Sequence, residues 1–225
     1  MKSRSLGWLV GLLLLVGGAN AARAAKYMTI EEAVKAYVPE SAKVFKVTKT
    51  LTPDEKERLK NDYGWEAKDP EYVFYVGKLK GAPAAYVFVV SGQFNTCFHK
   101  FAVGLEPNGT VKGTAIVELS CPRSFRVNKK AFLSQFAGKR HSDALTIKAD
   151  IDAVTGATLS SEAAATSTRK AVSLHNLFFG GAEPVKVSAS VAKARASANA
   201  MIEKAIATGE TIEKPKKGAK TEDPQ

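Results

Sequence analysis

Residues Cys97 to Cys121 read "CFHKFAVGLEPNGTVKGTAIVELSC". Two alternating runs flank the turn signal Pro107-Asn108-Gly109, which predicts an antiparallel pair of strands. Centring the turn on Gly109 puts residue 97 opposite residue 121. The chain's two cysteines then meet at the open end of the hairpin, and a Cys97–Cys121 disulfide is expected. Upstream, "EYVFYVGKL" (71–79) and "AAYVFVVSG" (84–92) are two further β-rich runs around "KGAP", and "SAKVFKVTKTL" (41–51) is another strand. Short helices punctuate them. Thr29 with Glu32 forms a capping box before "TIEEAVKAYV", and Thr52 with Pro53 opens "TPDEKERLKNDYGW". After the hairpin, "NKKAFLSQFAGK" predicts a helix capped by Asn128 and stopped at Gly138, with Phe132, Leu133 and Phe136 on one face. The fold class is therefore α+β, a mostly antiparallel sheet with packed helices.

The first residues place that domain. Basic Lys2 and Arg4, an uncharged run from Leu6 to Gly18 and small-residue cleavage sites up to Ala24 spell a secretory signal peptide over residues 1–24. The run is shorter than the about 20 apolar residues of a membrane span, which favours a cleaved leader and a periplasmic protein over an N-terminal membrane anchor. Residues 25–180 then form the domain, and 181–225 a C-terminal helix and a basic tail that is expected to be disordered after Glu213. An oxidising compartment favours the disulfide. Neither CxxC nor CxxCH occurs, so the usual dithiol redox motif and covalent c-type haem are excluded.

Loss of Lys2, Arg4 and Arg23 lowers the formal charge from +11 to +8. The lysines are scattered without the aromatic interleaving of a nucleic-acid surface, so the expected partners are an acidic protein or an anionic ligand, with no nucleic acid. His99, His141 and His175 share no metal-ligand spacing, and no metal is expected.

The chemistry concentrates in Asp152 to Ser161, "DAVTGATLSS". Asp152, Thr155, Thr158, Ser160 and Ser161 crowd one bend before "SSEAAATSTRKAVSLHNLFF", a helix starting near Ser160 with Ala164, Ala171, Leu174 and Phe178 on one stripe. An ordinary cap needs one hydroxyl. Gly156 and Ala157 take almost no room, which leaves Thr158 accessible to something large. "GGAEP" (180–184) breaks that helix, and a last one carries Val187, Val191, Ala194, Ala198, Met201 and Ala205 along one side.

"DAVTGAT" resembles the flavinylation motif Asp-x-x-Ser/Thr-Gly-Ala-Thr of the covalent FMN-binding domain family, which includes the C subunit of the sodium-translocating NADH:quinone oxidoreductase and the G subunit of the Rnf complex. "NGTVKGTAIVEL" resembles the family's strand-turn-strand, and "FLSQFAGK" followed by "DIDAVTGATLSS" its approach to the motif, so that the resemblance covers roughly Phe98 to Phe179. Many members continue from the second strand into Glu-Thr-Pro-Gly; this chain has "SCPR", so the ring contacts of that loop do not carry over. The resemblance implies FMN joined covalently through its phosphate to Thr158, attached by an ApbE-type FMN transferase that uses FAD and releases AMP. Asp152 serves recognition or metal-assisted transfer in that reading, Gly156 and Ala157 permit close approach, and Thr155, Ser160 and Ser161 complete the cofactor-binding motif. The helix start beside them suits an anionic phosphodiester. Phe125, Phe132 and Tyr86 are aromatic candidates for the isoalloxazine or for the core.

The function implied is an exported electron-transfer flavoprotein, not an enzyme with its own small substrate, working with a redox protein partner such as a membrane electron-transport complex or a cytochrome. The alternatives are a flavin-bearing accessory subunit of a membrane reductase complex and a cofactor-free secreted binding module.

Overall fold

A computed structural model describes residues 25–94, 97–121, 123–180 and 188–208; the expected leader and the tail after Glu213 lie outside the described residues. Strands β1 (Ala25–Lys26), β2 (Lys43–Lys49), β3 (Tyr72–Leu79), β4 (Ala82–Phe94), β5 (Cys97–Leu105) and β6 (Val111–Leu119) form one sheet in the order β1-β6-β5-β4-β3-β2. Every neighbouring pair is antiparallel. The helices are α1 (Ile30–Tyr37), α2 (Pro53–Tyr63), α3 (Lys130–Leu133), α4 (Thr158–Phe179) and α5 (Ala189–Thr208). The α+β expectation holds. No helix among the described residues is long and apolar enough to cross a membrane.

Alternation along the strands gives the sheet two unequal faces. Phe74, Phe88, Phe101, Val103 and Leu105 meet α4 and α2 in the main core, whereas Ala85, Val87, Ala102 and Val117 point to the other side and hold α1 through Ala33, Val34 and Val38. Small residues on that second face let the helix lie close. Gly104 and Gly113, side by side in the β5–β6 ladder, leave the groove that the Tyr37 ring fills. Burial pushes the Tyr37 hydroxyl up to about 12, as expected of a phenol packed away from water.

Local signals explain most element ends. Both capping boxes form, at Thr29 with Glu32 and at Thr52 with Glu55, and α2 stops at Gly64 with φ +70°. The helix expected from Asn128 is a correction. Lys129 occupies the N-cap without a side-chain bond, α3 is one turn long, and the chain tightens into a 3-10 turn at Ser134–Phe136. Aromatic burial holds this segment in place of a cap: Phe132 and Phe136 are buried, with ring centroids 5.5 Å apart.

The β5–β6 register departs from a simple hairpin in an informative way. Near the turn Leu105 faces Val111, so the pairing centres on residue 108; two one-residue bulges in β6 then bring His99 opposite Leu119, centred on 109. Cys97 and Cys121 consequently meet, with Cα atoms 4.4 Å apart, in a disulfide.

Two histidines in the main core stay neutral. His99 packs on Phe94 and Phe101, and His175 on Tyr86 and Phe179. Burial depresses both imidazoles to about 4, with the positive charge of Lys170 adding to the effect at His99 and that of His141 at His175. Their unfolded value is near 6.5, so below it the unfolded chain binds more protons and stability falls with pH. Urea unfolding at pH 7 and pH 4.5 should show a loss on the order of 2 kcal/mol per histidine. His99→Gln should remove its share of that dependence and leave that of His175.

Candidate functional site

A strained approach delivers the motif. Leu145 and Lys148 have φ of +49° and +72°, a left-handed geometry that costs energy outside glycine. Asp150 holds the segment: its carboxylate accepts from the Leu145 and Thr146 amides at 3.1 and 3.0 Å and from Lys139 Nζ at 3.2 Å. Ile151 is thereby sunk into the core, 1% exposed. Asp152 is then bracketed by Gln135, which accepts from its amide at 2.7 Å and donates to its carbonyl at 3.2 Å. The backbone of Asp152 is fixed while its side chain is exposed.

A tight turn follows. The Ala157 amide donates to the Val154 carbonyl at 2.9 Å, with Gly156 at φ +74° in the third position of the turn, where a side chain would be strained. Thr155 and Gly156 are exposed and Ala157 is buried. The expected start of α4 near Ser160 is corrected: the helix begins at Thr158, with Ala157 at the N-cap and no side-chain cap. None of the hydroxyls performs the usual capping bond, because Ser161 Oγ is turned back into the bend. It donates to the Ala157 carbonyl at 3.0 Å and accepts from the Val154 amide at 3.0 Å. Ser161→Ala should therefore cost about 1–2 kcal/mol by orphaning that amide, measured by urea unfolding.

The four hydroxyls now have different positions. Ser161 fastens the bend, and Ser160 Oγ is buried without a partner. Thr155 is exposed and offers its carbonyl to Arg126 Nη1 at 3.2 Å. Thr158, half-buried at the first residue of α4, makes no side-chain hydrogen bond among the described residues. The Thr158, Leu159 and Ser160 amides precede the first intrahelical bond, Ser161 to Ala157, so the positive end of the helix dipole is open here.

Sequence reading missed the cations beside this turn. A Cβ placed on Gly156 would lie 3.0 Å from Arg126 Nη1 and 3.9 Å from Arg123 Nη1. Both arginines come from the segment after Cys121, thirty or more positions before Gly156, and no local pattern connects them to the motif. Of the three aromatic candidates, Tyr86 and Phe132 are core residues at 4% exposure, whereas Phe125, 64% exposed, sits between the two arginines in sequence.

A buried polar seam runs behind the motif, also unforeseen. Arg169, 1% exposed, donates to Asn199 Oδ1 at 2.9 Å, and Arg195, 2% exposed, donates to the His141 and Asp143 carbonyls at 2.6 and 2.7 Å, which docks α5. The expected stripe on that helix is mostly half-buried: Ala198 is buried, Val191, Ala194 and Met201 are intermediate, and Val187 and the Ala205 side chain lie outside the described residues. Glu162 is fully buried, and burial raises its carboxyl above the usual range.

An exposed small-residue turn, an uncapped helix start and two guanidinium groups come together at the start of α4. Residues 98–173 match the family model described as FMN-binding domain, from β5 through most of α4. This stretch is similar to the FMN-binding domain family, which supports a flavin-binding domain here. No curated protein matches the chain. The residues present fit the phosphate end of FMN: free backbone amides, the orphaned Ser160 hydroxyl and the arginine donors are all complementary to an anion.

Proposed function

We propose that this protein is an exported electron carrier whose FMN is linked through its phosphate to Thr158. The observation that carries the reading is the state of Thr158: its hydroxyl is unengaged, half-buried, and placed where a tight turn runs into an uncapped helix. Threonine is a weak nucleophile without an activating base, which fits modification by a separate ApbE-type transferase. In that step the Thr158 Oγ1–P bond forms, the pyrophosphate P–O bond of FAD breaks, AMP leaves, and the hydroxyl proton is lost. FMN, when bound, supplies the redox chemistry. The chain's own residues would bind and orient it: the α4 amides would hold the phosphate and Gly156 would permit close approach, while Ser161 keeps the bend closed.

Export through the leader over residues 1–24 places the carrier in the periplasm, where covalent attachment prevents loss of a cofactor that is not readily replaced. The net basic charge suits an acidic redox partner, such as a cytochrome or a subunit of a membrane electron-transport complex. The test is co-expression with the transferase followed by denaturing electrophoresis. A fluorescent flavin band at the size of the chain is expected, and a colourless band would overturn the reading.

Asp152 gives a second expected result. Since only its backbone is tied into the fold, Asp152→Ala should leave stability within about 0.5 kcal/mol while lowering the fraction of flavin-loaded protein. Thermal melting and flavin-to-protein absorbance ratios measure the two separately.

A further inference from the structure

We infer that Arg123 and Arg126 form an anion clamp over the motif turn, holding the phosphate that Thr158 carries. The inference rests on the proposed attachment and adds two residues outside the motif. Both guanidinium groups reach Gly156, at 3.9 and 3.0 Å from where its Cβ would stand. Neither is in an ion pair with a carboxylate among the described residues. Arg126 uses Nη1 on the Thr155 carbonyl, and a guanidinium has further N–H donors in the same plane.

Described residues on both sides anchor the arginines. Cys121 is tied to Cys97, the Ser124 amide donates to the Cys121 carbonyl at 3.1 Å, and Ser124 Oγ pairs with Tyr27 Oη at 3.0 Å. Val127, fully buried, pins the other end of the segment. Arg123 itself has φ +59°, a conformation that costs energy for a long side chain and that this anchored turn maintains. Across the turn stands the α4 start with its uncapped amides and the buried, unpartnered Ser160 hydroxyl at the third helical position. Guanidinium donors from the turn after β6 therefore lie beside Gly156, two residues before the first free amide of α4, and both kinds of donor suit a tetrahedral anion.

The experiment uses the full chain carrying Thr158→Ala, so that no covalent bond forms, titrated with FMN and with riboflavin, which lacks the phosphate. FMN should bind at least about 10-fold more tightly than riboflavin at low salt, the ratio expected of charge-assisted hydrogen bonds. Arg123→Gln with Arg126→Gln should lower the preference several-fold, and lysine at both positions should restore part of it. Circular dichroism and melting temperature report whether the glutamine variant folds; Arg123→Gln alone, which removes no hydrogen bond found in the described residues, should by itself reduce the preference. Equal binding of FMN and riboflavin, or a preference unchanged in the folded glutamine variants, would overturn the clamp. The two readings separate cleanly. A fluorescent band on the denaturing gel together with arginine-independent binding sinks the clamp alone, and a colourless band with arginine-dependent FMN preference sinks the tether alone.

Discussion

Thr158→Ala, co-expressed with the transferase, is expected to yield folded protein without any flavin that survives denaturation. The effect should be complete, because the bond needs an oxygen at that position and no other hydroxyl of the motif is equivalently placed. Ser161 Oγ is engaged on both sides, Ser160 Oγ is buried, and Thr155 lies on the far side of Gly156. Folding should be nearly untouched, since the Thr158 side chain forms no hydrogen bond that the fold depends on. Thr158→Ser retains the oxygen and should load, and Thr155→Ser should be tolerated. Peptide mass mapping decides the site: flavin recovered on a fragment with Thr158 intact and another residue modified would remove the assignment.

The second large effect is structural and concerns the opposite face of the sheet. Tyr37 sits in the groove left by Gly104 and Gly113, and a Cβ on Gly113 would come within 2.9 Å of its ring, while one on Gly104 would overlap the ring outright. Gly104→Ala should cost about 1–3 kcal/mol by overpacking, and Tyr37→Ala about 2–4 kcal/mol by emptying the groove. The double variant should lose clearly less than the two combined, because the new methyl then occupies space the ring has vacated. For a domain of this size each kcal/mol is worth roughly 2–4 °C of melting temperature, so thermal unfolding resolves the cycle. Additive losses would mean that the ring and the glycine do not meet.

Local chemistry was readable and distant chemistry was not. Thr29, Thr52 and Pro53 announce their helices because a cap acts within one turn, and the run between the cysteines announces its hairpin because the pairing is between neighbours. The motif, too, is contiguous. β1 was invisible: two residues, Ala25 and Lys26, pair with Leu119 and Glu118, too short a segment to show any period. The start of α4 was misplaced for a related reason. Serine at 160 and 161 looks like a cap, but whether a hydroxyl faces forward to an amide or back to the i−4 carbonyl depends on the bend around Gly156. The arginines beside that glycine, and the sunken Glu162, Arg169 and Arg195, are products of tertiary packing; charged residues in a helix read as its solvated side until the neighbouring segments are known.

Strand order has a consequence for how the chain reaches this state. From β2 to β6 each strand pairs with its immediate successor, so five of the six strands assemble by sequence-local pairings, through short loops from β3 onward and through α2 between β2 and β3, without the long-range searches that slow Greek-key sheets. The crosslink belongs to the same logic, since it joins the two ends of one hairpin and, with two cysteines in the chain, has no wrong intrachain partner to exchange with. The late, non-local events are the return of β1 to β6 and the settling of α4 across the finished strands. Refolding should therefore show rapid acquisition of sheet signal followed by a slower phase, and it is in that slower phase that Gly156 and the two arginines first come together.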